Sequence, residues 1–392
     1  MAHTTGTTDV AIVGGGPGGL TLARLLTMRG TRVTVYERDA GPAARTQGGT
    51  LDLHADTGQR ALRAAGLTRA FRRHARPEGE DMLLLDRTGT VLHRDDTPDD
   101  SPALRPEIDR ADLRDLLLDS LPPGTVAWGR TLRTATPTGR DGDGGGWQLE
   151  FADGGRAEHR VVIGADGANS RLRPLLTPAV PQHLGVNTVE GAVPDIDRVR
   201  PDLAAAVGRG SYWVMGEGRS FVAQRCSDGS VRIGLSFHGP ADRAADWLTT
   251  CGIPFESPDG ARAALLPLFA DWTPECRALI EACPGPFTPR ALTALPVGLR
   301  WPHRPGLTLL GDAAHLMPPV GHGANAAMRD ALELATALDA TPGSSDAALR
   351  AYEEEMFART AGVAAESARI LEMITSPEGG RRVAAFFRGE GD

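Results

Sequence analysis

"VAIVGGGPGGLTLARLL", Val10 to Leu26, decides how the rest of the chain is read. A short apolar run meets a cluster of glycines, and from Pro17 the apolar residues recur at helical spacing. Gly14, Gly16 and Gly19 form a G-x-G-x-x-G run between a strand and a helix. Glycines there let the backbone approach a pyrophosphate, whose charge the helix N-terminus stabilises. Pro17, opening the helix, belongs to the same cofactor-binding set. "TRVTVYERD" supplies a second strand and ends on Glu37, placed to accept hydrogen bonds from a ribose diol. Arg38 beside that acid and Arg45 before the "GGT" turn at Gly48–Thr50 are expected to contact the same cofactor. Gly49 would let a substrate or a flavin pass close to the backbone.

Two later stretches repeat the strand–turn–helix form. "GADGANSRLR" places Asp166 and Gly167 in a turn, and "GDAAHLMPPVGHGANAAMRDALEL" places Asp312 after the apolar run Leu307–Leu310. A carboxylate there can bind ribityl hydroxyls, and a helix over Gly323–Leu338 can point its positive end at a flavin's pyrimidine edge. The early and late turns would then hold opposite ends of one FAD. Pro319, Gly323 and Asn325 fall on the ring side, with Pro318–Gly323 as a wall of the reaction cavity.

The 392 residues are 41% hydrophobic, enough for two domains or one large one. A net charge of -8 argues against a nucleic-acid partner. All 42 basic residues counted as Lys plus Arg are Arg, which fits a GC-rich coding bias and closes the lysine-dependent halogenase branch. Cys226, Cys251, Cys276 and Cys283 have neither C-x-x-C spacing nor a neighbouring His pair, so no metal site or disulfide frame is expected. No signal-peptide pattern is seen, nor an apolar stretch of about 18 residues. The expected location is cytoplasmic, without a membrane, as a monomer or weak homo-oligomer.

The order of patterns is strand–helix–strand, a β-rich middle, and a return to strand–turn–helix before a long helical tail. This predicts an α/β fold: a Rossmann-like FAD-binding domain with an inserted antiparallel β-sheet substrate domain and a C-terminal helical segment. The expected boundaries are residues 1–67, 101–175 and 288–344 for the FAD domain, and 68–100 with 176–287 for the substrate domain. Residues 345–392 would form bridging and capping helices.

Taken together, "GGGPGG", "VYERD", "GADGANS" and "GDAAHLMPP" resemble the single-component, class A flavoprotein monooxygenases over essentially the whole chain. "GGTLDLH" at Gly48–His54 and "PEIDRADLRDLLLDSL" at Pro106–Leu121 make it most similar to the tetracycline-inactivating members. The resemblance implies that NADPH or NADH reduces FAD, O₂ adds at the flavin C4a, and the hydroperoxide oxygenates a phenolic or polycyclic, polyketide-like substrate. The reductant would bind transiently, since no second dinucleotide fingerprint is present.

By the same resemblance Arg110 contacts FAD, and Arg114, one helical turn on, would sit over the same pocket. The family's histidine–x–glycine falls on Arg232 and Gly234, a glutamine on Glu190, and an asparagine on Gln224. Trp213 and Val222 would share their face of a sheet, and Pro319, Val320 and His322 would border the substrate from the bend. Arg232 and Glu190, both departures from the family, could pair with each other; alternatively Arg232 could bind an anionic or enolate oxygen. His322 stands where the family has Gln or Glu. It is the one catalytic candidate, since imidazole titrates near neutrality. His315 is expected to hold its turn by hydrogen bonds. Met356, Met373, Phe386 and Phe387 are expected in the core, with Phe386 or Phe387 able to close the cavity.

The expected role is aromatic hydroxylation in antibiotic biosynthesis or resistance. The alternatives are an FAD oxidoreductase without oxygen insertion, and a non-catalytic FAD- or drug-binding protein.

Overall fold

The computed structural model describes residues 9–44, 48–98, 102–139, 145–238 and 246–390. Its five-stranded sheet is parallel throughout. Leu307–Leu309, Val161–Gly164, Asp9–Val13, Arg32–Tyr36 and Val126–Ala127 follow one another in space. Ile12, Val35, Ile163 and Leu309 are fully buried. Burial on both faces is why these strands read as apolar runs and not as alternation. The helix Pro17–Met28 packs against the helix His322–Ala340. Gly18 permits their close approach, because a Cβ there would lie 3.0 Å from the Ala327 carbonyl oxygen.

A seven-stranded sheet runs in the order Thr288–Ala294, Gln182–Val193, Val231–His238, Arg219–Arg225, Ser211–Gly216, Met82–Asp86 and Val91–Asp95. All its pairings are antiparallel except that of Ser211–Gly216 with Met82–Asp86. Val231, Ile233, Leu235 and Phe237 face a core shared with the helices Pro201–Val207, Pro258–Leu265 and Pro274–Ala282. The residues between them point the other way, as the two-residue period of a strand requires.

The helix Ser345–Ile374 runs from the core of the parallel sheet to a separate small cluster on the seven-stranded sheet. Its Tyr352 Oη donates to the Leu309 carbonyl at 3.0 Å, while Met373 packs in a cluster with Leu84 and Trp213 at the far end. The helix Gly379–Phe387 covers that end of the sheet, and Phe387 stacks on His93 at 5.2 Å.

Several elements differ from expectation. Thr288–Ala294, grouped with the nucleotide unit by sequence, is an edge strand of the seven-stranded sheet. Its residues, all but one exposed or half-buried, carry little apolar alternation. Phe71, placed with the substrate unit, packs in the core of the parallel sheet. The stretch 196–207, inside the β-rich middle, forms two short helices, the second started by Pro201. The glycine-rich hairpin has a third strand, Arg156–His159; of its tip, Gly142 to Gly144 lie outside the described residues. No helix among the described residues is long and apolar enough to cross a membrane.

Candidate active site

The first turn is built by exclusion. A Cβ on Gly14 would come 2.2 Å from the Ala165 carbonyl oxygen, and one on Gly19 would come 2.2 Å from that of Gly14. Gly16 has nothing within 4 Å, so the turn packs on two glycines and stays open at the third. Glu37 is buried; its Oε2 accepts the Gly15 N–H at 2.6 Å and its Oε1 the Asp39 N–H at 2.9 Å. Arg38 is exposed, and Arg45 lies outside the described residues. Arg114 departs from expectation. It is buried and donates to the Pro42 carbonyl at 2.5 Å and to Asp39 at 3.3 Å, with its guanidinium 5.4 Å from the Trp128 ring centre. It fastens the chain after Glu37.

The later turns bring a second set of polar groups together. Asp166 Oδ2 accepts the Arg171 N–H at 2.7 Å, while its buried Oδ1 has no partner. Gly167 has φ +76°. The Asp312 carboxylate makes no hydrogen bond among the described residues, and burial raises its pKa against the pull of His315 and Arg110. Its Oδ1 would lie 3.7 Å from a Cβ on Gly323, at the start of the helix His322–Ala340. Arg173, buried and unremarked in the sequence, donates to the carbonyls of Asp312, Ala313 and Ala168 and so ties these two turns together.

His315 holds its turn as expected. Its Nε2 lies 2.6 Å from Asp330, which also accepts the Gly311 N–H at 2.8 Å. Burial alone would lower the His315 pKa, but Asp330 more than offsets it and the net shift is upward.

The seven-stranded sheet sets the expected substrate residues in register. Glu190, Gly234, Val222, Trp213, Leu84 and His93 lie directly opposite one another across six strands. Arg232 pairs with Gln224 in the next row on the same face. The ion pair entertained between Arg232 and Glu190 does not form, because Arg232 stands opposite Ala192 and Glu190 is bound to Arg290 at 2.8 Å. Arg232 has no acidic partner among the described residues. It reaches under the "GGT" turn, where a Cβ on Gly48 would meet its Nη1 at 2.3 Å. The Nε atoms of Arg232 and Arg110 both lie within 4 Å of the point a Gly49 Cβ would occupy. Burial lowers the Arg110 pKa, Asp312, Glu190 and Glu107 oppose that, and Arg232 adds to it. These four ionisable groups therefore lie within electrostatic reach of Arg110.

The bend Pro318–Gly323, the expected wall of the cavity, runs beside Asp52. Pro319 is exposed and Val320 and His322 are half-buried. Gly321 has φ +100°, and a Cβ on it would sit 3.3 Å from Asp52 Oδ2. The Asn325 side chain is wholly engaged: its Oδ1 accepts from His54 N, Thr57 Oγ1 and Gly58 N, and its Nδ2 donates to the carbonyls of Asp52 and Gly321. Its side-chain amide braces the bend.

The family model described as an FAD binding domain matches residues 7–230 and 301–367. Monooxygenase asqM of Emericella nidulans is 31% identical over 89% of this chain and 91% of its own length. The chain belongs to the FAD-dependent monooxygenases. A further relative, the 3-amino-4-hydroxybenzoate 2-monooxygenase PtnB3 of Streptomyces platensis, is 32% identical over 95% of this chain and 90% of its own. Tetracycline destructase Tet(51) shares the class A fold with a TM-score of 0.70 at 18% identity, covering 98% of this chain and 96% of that one. The monooxygenase thus has the α/β architecture expected of it.

The residues of this monooxygenase fit FAD. An open glycine turn stands at one end, and at the other the Asp312 carboxylate, Asp166 Oδ1 and the Arg110 guanidinium make no hydrogen bond among the described residues. Sequence reasoning missed several site groups. Glu107 is buried beside Gln224, whose Nε2 donates to its Oε1 at 2.9 Å. Asp52 and His54 form a pair at 3.0 Å. Both sat in quoted stretches, but burial and cross-strand neighbours are what give them importance.

Proposed function

We propose that this monooxygenase hydroxylates an electron-rich phenolic or polycyclic ring carrying an anionic or enolic oxygen. The observation that carries the reading is the row Glu190–Gly234–Val222–Trp213 with the unpaired Arg232 beside it. Gly234 leaves open space where a side chain would stand, so a planar ring can lie flat between Val222 and Glu190. Arg232 then offers a fork of donors to a carboxylate, phenolate or enolate. The Streptomyces relative is named for a phenol with a carboxylate and the destructase for tetracycline; both chemistries suit such a floor.

Gly14, Gly16, Pro17, Gly19 and Glu37 would hold the adenosine and pyrophosphate end of FAD. Asp166, Gly167, Asp312, Gly323 and Arg110 would hold the ribityl and ring end. The chemistry supplied by bound FAD is reduction by NADPH or NADH and transfer of one oxygen atom from O₂. The protein's part is to orient the ring against the bend Pro318–Gly323 and to keep water from it.

Purified protein should be yellow, and Asp312→Ala should lose most of its flavin; a variant with normal flavin content would displace the ribityl site. Phenolic and tetracycline-like compounds should stimulate NADPH oxidation with label from isotopic O₂ in the product. Stimulated oxidation without label would favour the plain oxidoreductase, and a colourless protein that refuses FAD the non-catalytic binder.

A further inference from the structure

The helix Ser345–Ile374 passes directly behind the bend, and there it presents Ser367, which is fully buried. Its Oγ lies 2.8 Å from the Val363 carbonyl oxygen, 3.0 Å from His322 Nδ1 and 3.6 Å from Met317 Sδ. A serine hydroxyl has one proton to donate. The Val363 carbonyl, four residues back on the same helix and the shortest contact, takes it. Nδ1 of His322 must then carry the hydrogen and donate to Oγ. That fixes the neutral tautomer and leaves Nε2 with a bare lone pair. Nε2 makes no hydrogen bond among the described residues.

The His322 ring stands beside Asp52 and His54, on the segment that follows the "GGT" turn. Ile370, one helical turn beyond Ser367, packs in the cluster with Trp213. A Cβ on Gly321, the preceding residue, would sit 3.3 Å from Asp52, and the strand that ends on Asp52 begins after Gly49, where a Cβ would stand 3.5 Å from Arg232. The groups that face His322 are Glu366 from the long helix, and Asp52 and His54 from the segment after the "GGT" turn. The His54 ring stands edge-on at 6.0 Å. Burial takes the His322 pKa below its ordinary value, helped by His54 and opposed by the carboxylates of Glu366 and Asp52. The ring is therefore neutral at pH 7.

We infer that His322 accepts the proton of the substrate's hydroxyl group through Nε2, with Ser367 as the positioning residue that fixes its tautomer. The substrate O–H bond breaks, an Nε2–H bond forms, and the electron pair stays on oxygen, enriching the ring carbon to be oxygenated. The imidazolium returns its proton to water as product leaves, and no oxidant or reductant enters the step. The inference rests on the phenolic or enolic substrate class proposed above, and its test has one arm that needs no substrate.

In holoenzyme labelled with ¹⁵N-histidine, the signal lost in His322→Gln should show the Nδ1–H tautomer at neutral pH. Ser367→Ala should give a mixture of tautomers and Ser367→Thr should restore the single one. With 4-nitrophenol as the probe, binding to wild type should produce its visible phenolate band together with an imidazolium signal from His322. In His322→Gln the pH of half-ionisation of the bound probe should rise by about one unit or more. It should rise less in Ser367→Ala and return in Ser367→Thr. An Nε2–H tautomer in wild type, or equal ionisation in His322→Gln, would overturn the inference. Failure of the probe to bind wild type would instead sink the phenol reading beneath it, leaving the tautomer result to judge Ser367.

Discussion

Glu107 shows how one buried carboxyl can set the pH response of the protein. It is 8% exposed, its Oε2 has no hydrogen-bond partner among the described residues, and it stands across a strand pair from Asp52. Burial first, and then the Asp52 charge, push its pKa from 4.5 to about 8. Between those values the folded protein holds a proton that the unfolded chain has released. Stability from this group is therefore complete below the unfolded pKa and drains away as the pH climbs towards about 8. Glu107→Gln keeps the shape and the Gln224 contact without the titration. Its melting temperature should match wild type near about pH 5 and exceed it near about pH 8.5, as thermal unfolding at the two pH values will show. Equal differences at both would mean that Glu107 is ionised throughout. Arg232 makes a separate residue-scale prediction. Arg232→Ala should weaken binding of a phenolic carboxylate by about 1.5–3 kcal/mol while barely affecting its neutral amide, as flavin-absorbance titrations of both would reveal.

Among the elements, the first turn is the least forgiving. In Gly19→Ala the new methyl would meet the Gly14 carbonyl oxygen at 2.2 Å, and backbone atoms cannot swing aside as a side chain can. The turn must open, so flavin retained through purification, read as visible absorbance per protein, should fall severalfold while the helix signal in circular dichroism stays near wild type. The strands around this turn were legible in the sequence because buried parallel strands leave unbroken apolar runs at Asp9–Val13 and Val161–Gly164. The edge strand Thr288–Ala294 leaves no such mark, since its exposed positions are free to be polar. The site divides in the same way. Glu190, Val222 and Trp213 could be placed on one face by alternation and family resemblance. Glu107, Arg173 and Ser367 could not, because each owes its importance to a partner far along the chain. His322 and Ser367 are 45 residues apart in sequence.

Over the whole molecule, the long helix Ser345–Ile374 is tied to the nucleotide side through a buried charge. Asp330 is fully buried and lies 2.6 Å from His315 and 2.6 Å from Arg359, which also binds Glu333. Burial opposes its ionisation, but His315 and Arg359 prevail and take its pKa from 3.8 to about 2. A carboxyl held low in the fold contributes stability above its unfolded pKa and loses it only as the pH falls towards about 2. Asp330→Asn removes the ion-pair partner of His315 and leaves Arg359 with Glu333 alone. It should cost about 3–5 kcal/mol in urea unfolding at neutral pH. A loss below about 1 kcal/mol would show that the helix is held by packing alone.

Asn325 gives the molecule a different property. Its five hydrogen bonds, from Asp52 to Gly58 on one side and to Gly321 on the other, are made entirely within the polypeptide. If the bend bears the isoalloxazine as proposed above, its shape is held by the polypeptide and needs no pigment to set it. Protein bleached by dialysis should regain its colour in a single rapid phase set by encounter, with no slow annealing behind it.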